Sequence, residues 1–273
     1  MEEFKKTIDI EKILKEKNPA AYRWLPKFII NWLKRKIHED RINECVWINR
    51  NNYGYAFNDG CLEYVGAKVT WEGLENIPDT GGVIVASNHP LGGIDGLAVI
   101  HAISQKRKDV RAIVNDILTN LVNFDGVLMG VNLVGGTTMD KLKLVDAFYG
   151  STGVSFIFPA GLVSRKQQGE IKDLEWKKSF VTKAIQHNQP VIPLFVDGKN
   201  SKFFYNFAYW RKKLGIKANI EMLFLPDEMF SQSNKNIHLK FGKPIMPTLF
   251  DKSKTYLQWA QHVKEMVYDM GKG

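Results

Sequence analysis

The chain has 273 residues, 44% hydrophobic and 25% charged, which is enough apolar material for a substantial core and excludes a disordered chain. Lys and Arg outnumber Asp and Glu by 38 to 29, a formal charge of +9, so the expected partners are anionic: nucleic acid, phosphorylated metabolites or an anionic membrane surface. Cys45 and Cys61 are too few for a disulfide framework and have no zinc-ligand spacing around them, which suits a reducing compartment.

The opening MEEFKKTIDIEKILKEKN carries no apolar h-region, so it reads as neither a secretory signal nor a lipidation site. No window reaches the ~18 continuous apolar residues that a spanning helix needs. A helix is predicted over residues 7–17, ended by Pro19. A second is predicted within YRWLPKFIINWLKRKIHEDRINECVW, residues 22–47. There Leu25, Phe28, Ile29, Trp32, Leu33 and Ile37 recur at three- and four-residue spacing, with Lys27, Asn31, Lys34 and Arg35 between them. Such a helix either packs on the core or lies in a membrane interface, with Trp24 and Trp32 at the headgroup level. The pattern admits both.

From Lys68 onward strands alternate with helices. KVTWE alternates in polarity, VIVAS is a buried-strand run, and GLAVIHAIS reads as a helix behind it. Next come the strand VRAIVND, a helix over ILTNLVNF, the strand VNLV, a helix from Met139, the strand VSFIFP, a helix through WKKSFVTKAIQHN and the strand PVIPLFV. IEMLFLP and IHLKFGKPIM are expected to complete the sheet, and YLQWAQHVKEMVYDM to cap it as a helix. This order predicts an α/β fold: a mixed, largely parallel sheet flanked by helices, in a domain over residues 61–273, with a helical amphipathic extension over residues 1–60. Ligands of open α/β sheets bind at the carboxyl ends of strands, where His89 and Pro159 fall.

The stretch SNHPLGGIDG offers the sharpest chemistry. Asn88 and Pro90 mark a strand exit, Gly92 and Gly93 permit a tight loop, and Asp95 stands at the expected N-cap of the next helix. His89 is then either a satisfied structural histidine or a general base whose second nitrogen is oriented by Asp95, with the nucleophile supplied by a substrate hydroxyl or amine. His38, His101, His187, His238 and His262 have no motif around them and read as structural. GVNLVGG lacks the Lys-Ser/Thr of a P-loop, and the carboxylate pairs Glu72/Glu75 and Asp227/Glu228 lack the apolar surroundings of a glycosidase. The basic, aromatic stretch from Lys199 to Lys217 shows no nucleic-acid motif. It fits core packing with a charged outer side, or a membrane or acyl-donor contact.

SNHPLGGIDG, then FIFPAGLVSR, then VIPLFV resemble in order and spacing the three motif blocks of the 1-acylglycerol-3-phosphate acyltransferase family, within roughly residues 70–200. The resemblance implies acyl transfer from an acyl thioester to a lysolipid hydroxyl by a monotopic enzyme, with His89 as base and Asp95 as its partner. It identifies residues 61–273 as the acyltransferase domain, with no cofactor beyond an acyl carrier protein or CoA thioester as co-substrate, no metal and no nucleic acid. It also implies an anionic membrane surface as partner, on the cytoplasmic face of the inner membrane.

Three departures qualify the match. Five residues, not four, separate His89 from Asp95. Ala160, Leu162 and Val163 stand where the family has Glu, Thr and Arg, while Phe158, Pro159, Gly161 and Ser164 match and a cation appears at Arg165. The intermediate block GVNLVGGTTMDK has no arginine, only Lys141. Because the family's arginines suit an acceptor phosphate, the departures point to the haemolysin-like branch, which includes O-acyltransferases of glycine and ornithine lipid synthesis. There Arg165 or Lys141 would meet a carboxylate, and Phe158, Pro159, Gly161 and Ser164 would line the substrate site. Acylation of lysophosphatidic acid, or a non-catalytic basic lipid- or nucleic-acid-binding role, are the alternatives.

Overall fold

The computed structural model describes residues 6–17, 19–115, 118, 119, 121–131, 139–167 and 169–272. Four helices lead the chain: α1 (Ile10–Lys17), α2 (Pro19–Trp24), α3 (Lys27–Lys36) and α4 (Glu39–Ile48). The single helix expected over residues 22–47 is therefore three. Pro26, with ψ at 143°, precedes α3 in an extended conformation that helix cannot continue through, and His38 sits in the left-handed region at φ 53° between α3 and α4. The sequence pattern also passed over α5 (Tyr55–Val65), whose buried Phe57, Cys61, Leu62 and Val65 fall on one helical face and which ends at Gly66 with φ 75°. The boundary expected between residues 60 and 61 lies inside this helix.

The strands are β1 (Lys68–Glu72), β2 (Val83–Ser87), β3 (Val110–Asn115), β4 (Leu128–Val131), β5 (Val154–Ile157), the β6–β7 hairpin (Arg165–Gln167 and Glu170–Lys172), β8 (Val191–Asp197) and β9 (Asn236–Phe241). The remaining helices are α6 (Gly93–Ser104), α7 (Met139–Tyr149), α8 (Ser179–Gln186), α9 (Lys202–Lys213), α10 (Leu225–Phe230) and α11 (Tyr256–Met270). Seven strands form one sheet in the order β1-β9-β8-β2-β5-β3-β4, parallel throughout except where β8 meets β9. This is the mixed, largely parallel sheet flanked by helices that the sequence predicts.

Central β2 is buried at every position, and its alternation divides the core in two. Val83 and Val85 face α6 with Ile94, Ala98 and Ile103, whereas Ile84 and Ala86 face α8 and α11 with Phe180, Val181, Val263 and Trp176. Each such fully buried aliphatic side chain contributes about 1.5–3 kcal/mol relative to exposure. The cap of α11 is also local: the Thr255 hydroxyl accepts from the Gln258 N–H at 3.2 Å, and the Gln258 side chain accepts from the Thr255 N–H at 2.8 Å.

IEMLFLP, expected as a strand, is instead a 3₁₀ turn (Ile220–Phe224) running into α10, with Pro226 in the first turn of that helix. A strand would alternate its side chains, but here Glu221 turns inward to two arginines, described below. Among its described residues ILTNLVNF is 3₁₀ rather than α-helical, at Leu118 and Thr119 and again at Val122–Phe124. Of VNLV, Val131 ends β4 and the rest lies outside the described residues.

Candidate active site

The site begins where β2 leaves the sheet. Asn88 is buried and its amide replaces a ladder rung: Nδ2 donates to Val196 O at 2.9 Å, and Oδ1 accepts from Val196 N at 2.7 Å. The side chain thus holds the β2–β8 register while the backbone turns away. His89 follows, and its main chain is gripped from the β6–β7 side. Its N–H donates to Asp173 Oδ1 at 3.1 Å, and its carbonyl accepts from Ser164 N at 2.8 Å.

Past Pro90 the chain doubles back through Gly92, at φ 94°, a conformation that favours glycine; an added Cβ there would also press on Leu225 at 3.2 Å. The fold-back brings Asp95 under the imidazole. One carboxylate oxygen, Oδ2, accepts from Leu91 N at 2.8 Å and Gly92 N at 3.1 Å, and lies 3.0 Å from His89 Nδ1. The five-residue interval keeps the contact because Gly92 takes up the extra length. Asp95 is not the N-cap of α6, as expected, but sits three residues inside it, with Gly92 at the cap position.

Burial pushes the Asp95 carboxyl above its ordinary value of 3.8; the hydrogen bond and charge of His89, and the Leu91 and Gly92 N–H groups, oppose the rise. Its second oxygen is buried without a partner among the described residues. The imidazole stacks on Phe158, centroids 3.9 Å apart and planes at 20°, and Phe158 in turn meets Phe156 edge-on at 4.8 Å. With Nδ1 on the carboxylate, Nε2 has no hydrogen-bond partner among the described residues, and the side chain keeps 16% of its surface exposed. The arrangement gives an oriented base with one nitrogen open to a substrate proton.

Three other histidines also meet aspartates: His38 with Asp227 at 2.6 Å, His101 with Asp59 at 2.8 Å and His187 with Asp146 at 3.1 Å. Burial separates them from His89. Their aspartates are 32–40% exposed and solvated, whereas Asp95 is 0% exposed and sits at the carboxyl edge of the parallel strands.

The Phe-Pro block divides. Phe158 and Ser164 touch His89 directly. Pro159 and Gly161 build the turn between them, closed by Gly161 N donating to Phe158 O at 3.0 Å, with Gly161 at φ 68°. That turn uses the Gly161 N–H, and Asp95 uses the Gly92 N–H, so neither is open to an oxyanion. Gly93 opens α6 with free space where a Cβ would stand.

The structure does not place Arg165 as a head-group cation. Its guanidinium is buried, with Nη2 2.9 Å from Glu221 Oε1 and Nη1 donating to Val163 O at 2.6 Å, and it lies over the Phe204 ring. Arg211 Nε reaches the other Glu221 oxygen at 2.6 Å. Charge neutralisation of a fully buried glutamate takes up the arginine that the motif spacing assigned to substrate. Lys141 lies in the first turn of α7, and its side chain lies outside the described residues.

Sequence reasoning passed over Asn88 as a partner of β8, and Asp173 altogether. Asp173 sits in the charge-rich IKDLEWKK, yet it is fully buried. Among the described residues no group of His, Cys, Asp and Glu could hold a metal ion, and no helix is long and apolar enough to cross a membrane.

A family model described as acyltransferase matches residues 12–272. A lyso-glycine lipid O-acyltransferase of Phocaeicola vulgatus is 46% identical over 264 residues, covering 96% of this chain and 95% of that protein. A protein of the same name from Bacteroides thetaiotaomicron is 44% identical, covering 96% and 97%. Among solved structures, the 1-acyl-sn-glycerophosphate acyltransferase PlsC from Thermotoga maritima is similar with a TM-score of 0.47 and 15% identity, over 89% of each chain. Matched along nearly its whole length by the family model and by two named acyltransferases, the chain belongs to the acyltransferase family.

Proposed function

We propose that the protein is an O-acyltransferase that moves a fatty acyl group from an acyl thioester to the hydroxyl of a lyso-aminolipid, with lyso-glycine lipid as the acceptor. The observation that carries the reading is the His89–Asp95 contact of 3.0 Å at the carboxyl end of β2, with Nε2 open. The names of the two relatives supply the acceptor class.

The chemistry follows from the pair. As the acceptor hydroxyl oxygen attacks the thioester carbonyl, Nε2 takes its proton and Asp95 holds the resulting imidazolium. Collapse of the tetrahedral intermediate breaks the C–S bond, and the imidazolium returns the proton to the departing thiolate. The products are the ester and the free thiol, and no acyl-enzyme is needed. The N–H of Gly93, at the start of α6, is the candidate donor to the developing oxyanion.

The lack of a free guanidinium in the Phe-Pro block supports an acceptor without phosphate. Val163 is fully buried and Arg165 is committed to Glu221, which leaves Lys141 as the cation we assign to the acceptor carboxylate. Phe158 and Ser164 line the site; Pro159 and Gly161 shape it.

Membrane docking on the cytoplasmic side, where acyl carrier protein or CoA thioesters are available, completes the reading. Trp24 is 88% and Phe28 71% exposed, and Trp32 meets Phe224 at 6.0 Å, which meets Phe203 of α9 at 5.1 Å. Exposed Trp210 and Leu214 continue this apolar face, and Lys27, Lys202 and Lys213 border it along the chain. The same basic helix, α9, suits an acidic carrier protein.

Purified protein supplied with acyl carrier protein or CoA thioester and with lyso-glycine lipid or lysophosphatidic acid decides between acceptors by the rate of free-thiol release. Preference for lysophosphatidic acid would overturn the acceptor. His89→Ala is expected to lower turnover by about two to four orders of magnitude with the fold intact, and near-normal turnover would remove the base.

A further inference from the structure

His89 has passed the end of its strand, so its peptide has no ladder partner, and a base on an untethered turn would wander by more than the fraction of an ångström that proton transfer tolerates. The tether comes from 84 residues further along. Asp173, fully buried just beyond β7, accepts at Oδ1 from His89 N at 3.1 Å and from the Ser164 hydroxyl at 2.6 Å, and at Oδ2 from Trp176 Nε1 at 2.8 Å. Its own main chain is anchored to α11. Asp173 N donates to the Tyr268 hydroxyl at 2.7 Å, and Lys264 Nζ donates to Asp173 O at 2.8 Å.

Trp176 is itself locked in the core between β2 and α8, with Phe180 edge-on at 5.8 Å. One carboxylate therefore connects the rigid back of the sheet to the turn that carries the imidazole. We propose that Asp173 is a positioning residue for His89: by holding the His89 N–H, while Ser164 holds the carbonyl, it sets the ring on Phe158 and against Asp95. The proposal rests on the reading of His89 as the base. Asp173 itself touches neither substrate nor imidazole in this role.

Two oxygens serving three donors explain why a carboxylate is used. Asparagine offers a single acceptor oxygen, so Asp173→Asn must turn its NH₂ toward either Trp176 Nε1 or the His89 and Ser164 donors, and one set goes unmet. Alanine removes all three contacts, and the Ser164 hydroxyl alone keeps another acceptor, His89 O at 3.2 Å.

The test combines kinetics with NMR of protein carrying ¹⁵N-labelled histidine, the His89 resonances being assigned by their loss in His89→Ala. For Asp173→Asn and Asp173→Ala, kcat is expected to fall by about 10- to 100-fold, the loss that accompanies a displacement near 1 Å. KM for the lysolipid should stay within about twofold, and the His89 imidazole ¹⁵N signals should move. Val181→Ala, in the core on α8, matches the loss of stability and should leave kcat and the signals unchanged.

Folded Asp173→Asn protein with wild-type kcat, or with unmoved His89 signals, would overturn the proposal. So would an equal loss of kcat in Val181→Ala. Should Asp173→Ala fail to fold, Asp173→Asn gives the same decision. Full activity of His89→Ala would remove the base alone, because the His89 signals report on the ring's placement whatever the reaction.

Discussion

The His89 imidazole lies nearly flat on the Phe158 ring, 3.9 Å between centroids and 20° between planes, and this stack joins the carboxyl ends of β2 and β5 across the site. The two residues come from separate motif blocks 69 positions apart in the chain. With Asp95 fixing the Nδ1 edge, the aromatic face fixes the remaining freedom of the ring. Phe158→Ala should remove about 0.5–1.5 kcal/mol of ring contact and open space beside the base, lowering kcat roughly tenfold. Phe158→Tyr keeps the ring and should stay within about threefold of the parent. Steady-state thiol release measures both, and an alanine variant at full rate would show that the stack does not orient His89.

The ion cluster behind the site makes a different demand. Glu221 is fully buried between Arg165 and Arg211, and removing it leaves two guanidinium groups facing one another. Glu221→Ala should cost about 3–5 kcal/mol, a fall in Tm of roughly 10 °C. Arg165→Met should leave KM for the acceptor unchanged, because the guanidinium is already occupied, and the pair of changes together should recover most of the lost Tm. A rise of tenfold or more in KM on Arg165→Met would return the arginine to the acceptor head group.

Trp24 and Phe28 are the most exposed aromatic side chains of the leading helices, and nothing in the described chain covers them. Trp24→Ala with Phe28→Ala should weaken sedimentation with vesicles containing anionic phospholipid by about tenfold or more, while turnover of a detergent-dispersed acceptor is kept. Unchanged sedimentation would exclude α2 and α3 as the contact.

Local pattern carried the core of this enzyme and lost its long-range polar contacts, for a physical reason. β2, α6 and the His89–Asp95 turn are written in adjacent residues: a continuous apolar run, a strand exit, two glycines and a helix start. Glu221 with Arg165, and Asp173 with His89, are pairings across 56 and 84 positions, and no periodicity announces them. Buried charges in such pairs look like surface charges in the sequence. That is why Asp173 in IKDLEWKK carries no local signal, and why IEMLFLP is expected as a strand although its glutamate is needed inside. Pro26 was legible and was overridden by a strong apolar repeat on both sides of it. α5 was missed because Asn58, Asp59 and Gly60 interrupt its pattern in the middle.

Asp95 links activity to pH and stability in opposite senses. Its carboxyl is raised above 3.8 by burial, against the opposing pull of His89 and two N–H groups. For a group whose folded value is raised, the favourable contribution is fully present below the unfolded value and is lost as pH rises through the folded one, so the ionised form of Asp95 costs the fold stability. Asparagine keeps the oxygen that Leu91 and Gly92 require and places its NH₂ where Oδ1 stands unpartnered, so it carries no such loss. The Tm of Asp95→Asn minus that of the parent should therefore grow as pH rises from about 4 and level off once the parent carboxyl is ionised. Activity should move the other way. Without the negative charge at 3.0 Å the imidazolium loses up to about 4 kcal/mol of support, and kcat should fall by as much as roughly three orders of magnitude. Thermal melts across that pH range, set beside rates at neutral pH, check both. A variant that is less stable than the parent at pH 8 and equally active would mean that the Asp95 charge neither burdens the fold nor serves the base.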